Sequence, residues 1–316
     1  MNHPVSMVGS AEEYLAYRRK LGFRLDNAGR LLLAFAAYAD RAGHRGPLTT
    51  ELAVRWARLP QQATAVYWAR RLDVVRGFAE YRAVFDPGTE IPPRGMLGPA
   101  YRRITPHIYS EAELSALLAA ARRLPPGRGL RPQTYATLFG LLACTGLRLS
   151  EALKLTRSDV DRSYGLLTIR QAKFRKSRLV PLHPSTGQAL HAYARQRDHS
   201  HPGARDDAFF VTGRGTGLCR STVQGTFLGL RRELSWSAQG GARAPRIHDL
   251  RHTFATRRLL RWYAEGVPID RALAALSTYL GHASVSHTYW YLTGVPELLE
   301  LATARFEHFA SPDPGD

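Results

Sequence analysis

Eleven residues, Asp86-Pro-Gly-Thr-Glu-Ile-Pro-Pro-Arg-Gly-Met96, constrain this chain more than any other stretch. Proline fixes φ and removes a backbone donor, and glycine is costly to order in a regular element. Neither helix nor strand runs through such a segment, so it reads as a linker continuing to about Pro106. A length of 316 residues leaves enough chain on either side for two separate cores. Three parts are expected: a helical domain over 1–103, a larger domain over 104–293, and an amphipathic helix with a tail over 294–316.

The first part carries helical spacing throughout. Tyr14, Leu15 and Leu21, then Leu31, Leu32, Phe35 and Tyr38, recur on one face, with a break expected at Asn27-Ala-Gly29. Thr49-Thr50-Glu51 opens another helix ending near Pro60, and a third runs from Thr64 to about Tyr81. In that third helix Leu72, Val75 and Ala79 form one face. Arg70, Arg71 and Arg76 fall elsewhere, near Tyr67 and Trp68. Arginine beside aromatics suits contact with a nucleic-acid backbone, and it equally suits a solvated helix face.

The second part opens on Ser110 with Glu113 three residues later, a capping box. A mostly apolar run from Thr134 to Cys144 predicts a buried helix stopped at Thr145-Gly146, and Leu147–Leu155 predicts another directly after it. Arg148 thus stands beside a glycine turn between leucines, where an unpaired charge would be costly. Leu166–Arg170 and Ser177–Leu182 predict a hairpin with Lys173 and Lys176 at its tip. Phe209-Phe210-Val211 is expected as a short strand, and Thr212–Leu218 as a surface turn rather than a phosphate loop, since it lacks the Gly-Lys-Ser/Thr ending. His248 and Arg251 share a helical face at i, i+3. His248 and His252 have zinc-pair spacing but no third ligand and no adjacent Glu, so a metal site is not expected. Near the end, Leu280-Gly-His282 leads to Tyr289 and Tyr291. Pro296 then starts the last helix, with Leu298, Leu299, Ala302, Phe306 and Phe309 at helical spacing, to dock on its own domain or on a neighbouring protomer.

Charge narrows the partner. Lys+Arg number 44 against 26 Asp+Glu, a net +18, which favours a polyanion. The excess is spread: 16 basic against 9 acidic side chains over residues 1–105, and 28 against 17 beyond. Two basic domains fit a grip on DNA from two sides. Only four of the basic residues are lysines, and Lys173 and Lys176 lie within four positions of each other. Lysine can give up a proton when its pKa shifts, whereas arginine stays charged. With two cysteines, Cys144 and Cys219, a disulfide framework is implausible, and two inert, buried or semi-buried thiols are expected. No apolar run approaches the ~20 residues that span a bilayer, and the N-terminus lacks a signal peptide, so a cytoplasmic, nucleoid-associated protein is expected.

Three motifs in order, Thr145-Gly-Leu-Arg-Leu-Ser-Glu151, His248-Asp-Leu-Arg-His-Thr-Phe-Ala-Thr256, and Leu280-Gly-His282 followed by Tyr291, resemble the tyrosine recombinase (phage integrase) family. The match spans roughly residues 105–293, and the N-terminal helices are similar to the family's core-binding domain. The resemblance implies a mainly α fold with a small antiparallel β-sheet in the catalytic domain, arranged as a two-domain DNA clamp. It implies a site-specific DNA recombinase that cuts and rejoins DNA through a covalent 3′-phosphotyrosine, serving a mobile genetic element, with no metal or cofactor.

Carried onto this chain, Arg148 and Arg251 clamp the scissile phosphate, His248 and His282 flank it, and Glu151 supports the first arginine. Tyr291, nine residues after His282, is the nucleophile and Tyr289 a structural neighbour. Lys173 is the hairpin lysine, with Lys176 the alternative because the family's flanking glycines are missing here. The chemistry agrees. Fixed cations lower the barrier as charge gathers on the phosphate oxygens. His248 has a pKa range suited to a base for Tyr291, and Lys173 can protonate the leaving 5′-hydroxyl. Arg70, Arg71, Arg76, Arg175 and Lys176 are the expected further DNA contacts. The partners implied are double-stranded DNA and copies of this chain, as a tetramer on two synapsed sites. Competing readings are a type IB topoisomerase, Xer-like dimer resolution, and a silent DNA-binding protein.

Overall fold

The computed structural model describes residues 6–101, 105–126, 129–161, 165–170, 177–202, 206–238, 243–282, 284, 286 and 288. The chain divides into two compact units, Met1–Arg103 and Ile104–Asp316.

Four helices build the first unit: α1 (Met7–Lys20), α2 (Asp26–Arg41), α3 (Thr50–Arg58) and α4 (Ala65–Arg82). Hydroxyls cap three of them, Ser6, Thr49 and Thr64 each accepting from a first-turn amide. Their inner faces meet around Tyr14, Phe35, Trp56 and Phe78. The first break falls at residues 21–25, where Gly22 takes φ 90° and Leu25 φ 51°, and not at Asn27–Gly29. Gly29 lies inside α2, with Leu15 methyls 3.4 and 3.5 Å from where a Cβ would stand. The missing side chain there lets two helices approach closely. The Pro/Gly-rich segment is not a loose tether either. Glu90 N donates to Leu48 O, Glu90 Oε2 accepts from Thr50 N, and Leu97 is buried in this core.

The second unit starts with α5 (Glu111–Arg122), whose Ser110–Glu113 capping box forms as the spacing predicts. Next comes α6 (Arg131–Thr145), buried along most of its length by Tyr135, Leu138, Phe139, Leu141 and Leu142. It packs against α5, α8 (Pro184–Ser200) and α10 (Asp249–Ala264). Gly146 ends it in the left-handed conformation, φ 60°. Leu147–Leu155 holds only one helical turn, α7 (Leu149–Ala152), because Arg148 takes the extended backbone of a cap. A three-stranded antiparallel sheet follows: β1 (Val160–Asp161), β2 (Leu166–Ile169) and β3 (Arg178–Pro181). Leu167 pairs with Val180 and Ile169 with Arg178, which puts Leu167, Ile169 and Val180 in the core. The fold is thus mainly α with a small antiparallel sheet.

Other expectations are corrected. Phe209-Phe210-Val211 forms no strand; its two phenylalanines pack at a tilt against Tyr193 in the core, and pairing there is limited to single bridges. Two helices were not foreseen, α9 (Arg220–Glu233) and α11 (Ile269–Leu280). Both cysteines are exposed rather than buried. Among the described residues no helix is long and apolar enough to cross a membrane.

Candidate functional site

Helix α11 ends at Leu280, and Gly281 takes φ 66° to turn the chain. Carbonyls at a helix C-terminus lack intrahelical partners and carry the negative end of the dipole. Here three consecutive carbonyls each receive an arginine from a different element. Arg178 Nε on β3 donates to Tyr279 O at 2.8 Å. Arg251 Nη2 on α10 donates to Leu280 O at 2.8 Å, and Arg148 Nη2 at the head of α7 donates to Gly281 O at 3.2 Å. Arg251 also donates through Nη1 to Gly146 O at 2.7 Å and is almost fully buried. The turn before Arg148 and the turn before His282 are therefore joined through one guanidinium.

Glu151 is the counter-charge. Its carboxylate accepts from Arg148 N (3.0 Å) and Nη1 (2.7 Å), closing the turn of α7, and from Arg178 Nη1 (3.2 Å) and Nη2 (3.0 Å). Burial pushes the pKa of this carboxyl up, but the hydrogen bonds from Arg178 and Arg148 outweigh it and hold it at about 2. Glu151 thus contacts Arg148 directly, and a second arginine shares it.

His248 stands just ahead of α10, where Asp249 is buried and grips Arg246 through backbone and guanidinium, Nη2 at 2.7 Å and Nε at 3.2 Å. The Tyr109 hydroxyl donates to Arg246 O at 3.0 Å and fixes the same turn from α5's side. His248 meets His252 edge to face, ring centroids 4.9 Å apart. Desolvation by its surroundings, with the Arg251 charge beside it, lowers its pKa to about 4, although the residue keeps exposed surface. His252 is lowered to about 4 as well, by desolvation and then by His248. His248 is therefore a neutral imidazole at neutral pH.

His282 follows the capped helix end. Its Nδ1 lies 2.8 Å from Oγ1 of the buried Thr288. With the hydroxyl donating, Nε2 carries the ring proton.

Beside Arg148 and His248 opens a cleft of ≈ 550 Å³, floored by Phe227, Pro245 and Ile247 and edged by Arg220, Arg231 and Arg246. Four arginines around one cleft suit a phosphodiester backbone.

Five of the expected residues, Arg148, Glu151, His248, Arg251 and His282, thus gather around the α6–α7 turn, the head of α10 and the end of α11. Lys173, Arg175, Lys176, Tyr289 and Tyr291 lie outside the described residues, as does the 296–309 helix. In the first unit Arg71 is buried, its guanidinium 3.7 Å from the Trp56 ring centre and hydrogen-bonded to Trp56 O. Arg76 binds Glu80 and Pro92 O, which leaves Arg70 as the exposed arginine of the three. Sequence reasoning missed Arg178. The signal was there: Arg178 and Val180 share a strand face, Val180 points to the core, and an inward arginine needs a carboxylate.

Residues 108–295 match the sequence pattern of the phage integrase family. A Sinorhizobium fredii protein described as an integrase/recombinase, y4rB, is 44% identical over 302 residues, covering 94% of this chain and 96% of that protein. Tyrosine recombinase XerD of Caulobacter vibrioides is 33% identical over 227 residues, 71% of this chain and 69% of that protein. Among solved structures, the Tn1549 transposon integrase in complex with transposon right end DNA superimposes with a TM-score of 0.70, covering 97% of this chain and 100% of that one at 15% identity.

Proposed function

The chain belongs to the phage integrase family and is a site-specific DNA recombinase, and we propose that Tyr291 is its nucleophile, acting on a phosphate held by Arg148 and Arg251. The observation that carries this reading is the arrangement of those two arginines. Each donates to the end of the same helix, one residue apart, directly before His282. Their guanidiniums therefore converge on one turn, Arg148 with its Nη1 on Glu151.

The steps follow from the chemistry. The Tyr291 oxygen attacks phosphorus as the bond to the 5′-oxygen breaks, and a 3′-phosphotyrosine forms. Neutral His248 accepts the phenolic proton, which its lowered pKa permits at neutral pH. Arg148, Arg251 and the His282 Nε2–H stabilise the charge on the non-bridging oxygens. Lys173 protonates the departing 5′-oxygen. A 5′-hydroxyl from a second strand then attacks the phosphotyrosine and releases Tyr291, so the bond energy is kept for rejoining. Two duplexes exchanging strands require four cuts, and one tyrosine per protomer makes a tetramer the working assembly. Arg70, Arg175 and Lys176 add backbone contacts on cytoplasmic DNA. Similarity along nearly the whole chain to an integrase/recombinase favours movement of a genetic element over dimer resolution.

The test is a nicked suicide substrate that traps the covalent complex. The wild-type protein should stay attached to DNA and Tyr291→Phe should not. An adduct formed by Tyr291→Phe would move the nucleophile to Tyr289.

A further inference from the structure

Strand β3 brings to the site an arginine that phosphate binding does not call for. Arg178 turns inward and places its whole fork on protein: Nε on Tyr279 O, and Nη1 and Nη2 on the two oxygens of Glu151. It also packs on the turn backbone, since a Cβ at Gly281 would lie 2.7 Å from Arg178 Nη1.

We propose that Arg178 is a positioning residue that sets the orientation and effective charge of Arg148. Two physical effects carry this. The first is geometry. A phosphate clamp must hold its shape to within about 0.5 Å, and an arginine side chain loses much rotamer entropy when it is held. Glu151 can fix Arg148 only if its own carboxylate plane is fixed, and the two-pronged bond from Arg178 does that. Arg178 simultaneously pins the carbonyl two residues before Gly281 O, the other acceptor of Arg148. The second effect is charge. A carboxylate paired with Arg148 alone would cancel the charge that the phosphate needs. Shared between two guanidiniums, it leaves one net positive charge across the trio. Lysine at 178 could not replace this, because a single ammonium cannot address one carbonyl and both carboxylate oxygens in a plane.

This inference rests on Arg148 binding the scissile phosphate, and the experiment separates the two claims. Single-turnover cleavage by Arg178→Ala, Arg178→Lys and Arg148→Ala is compared on an ordinary substrate and on one with a methylphosphonate at the scissile position. Replacing a charged non-bridging oxygen with methyl reduces the need for a cation. Arg178→Ala and Arg178→Lys should cleave the phosphodiester roughly 10- to 100-fold more slowly, a step below the ~10²–10³ for loss of a direct donor. DNA affinity should stay within a few-fold, and the defect should shrink at least tenfold on the methylphosphonate, as for Arg148→Ala. The ratio of rates on the two substrates belongs to one preparation, so a partly unfolded variant does not distort it. A defect of equal size on both substrates, or none at all, overturns the proposal for Arg178. Full activity in Arg148→Ala instead overturns the phosphate-binding reading beneath it.

Discussion

The Phe254 ring occupies the space where residue 146 would carry a side chain: a Cβ on Gly146 would stand 2.5 Å from Phe254 Cδ1. The turn ahead of Arg148 is thereby keyed to α10, the helix that carries Arg251. The same carbonyl, Gly146 O, accepts from Arg251. Contact and hydrogen bond together set the spacing between the two arginine-bearing segments.

Gly146→Ala should therefore be costly twice over. Left-handed backbone with a Cβ and an overpacked contact together predict about 2–4 kcal/mol lost. A lowered urea midpoint, with cleavage falling further than the unfolded fraction accounts for, is the expected result. An unchanged midpoint would show that α10 does not hold this turn.

The histidine pair makes stability and rate depend on pH in a stated direction. His248 and His252 are lowered from 6.5 to about 4 in the folded protein. As pH falls below 6.5 the unfolded chain takes up protons that the folded chain refuses, so stability is full above 6.5 and is lost toward pH 4. Denaturation midpoints measured between pH 7 and 4 should decline, and His252→Asn should flatten part of the decline. Cleavage under kcat/KM conditions should lose its base near pH 4 rather than 6.5, and an acid limb at 6.5 would assign the proton acceptor elsewhere.

Glu151→Gln should be worse than its near-identical shape suggests. Removing the charge leaves two guanidiniums facing a neutral amide, and breaking a buried ion pair from one side costs roughly 3 kcal/mol. Calorimetry should show a lower Tm, and suicide-substrate trapping should slow by at least tenfold. Because the carboxyl of Glu151 sits at about 2, its own protonation should leave no mark on the rate profile above pH 4.

Cys219 should be the reactive thiol. Hydrogen bonds with Ser221 and Thr222 at the head of α9 lower its pKa to about 7, and its sulfur is exposed. Thiolate is the reacting form, so alkylation at pH 7.5 should show a fast phase that Cys219→Ser removes, leaving Cys144 as the slow one. A fast phase surviving in Cys219→Ser would assign the reactivity to Cys144.

Much of this was legible along the chain. The capping box at Ser110, the glycine stop at 146 and the Arg148–Glu151 turn are local features, whose partners lie within four residues. The helix bearing Arg251 was legible for the same reason. Helix α9 was missed although Val223, Phe227 and Leu230 carry helical spacing, because Gly225 and Gly229 within it are poor helix formers. The cysteines were misread because exposure is not a property of neighbours in sequence.

What the sequence determined by itself was the chemistry available: which cations, which imidazoles and which carboxylate stand in the family's order, and that the chain is helical around a short hairpin. Only the tertiary structure decided how those groups are held. Arg148, Arg178 and Arg251 come from three elements and meet on Tyr279, Leu280 and Gly281, and Glu151 reaches across 27 residues to Arg178. Such pairings have no sequence spacing. They exist because a helix end leaves its last carbonyls unpaired, and burial makes leaving them so more costly than drawing distant arginines to them.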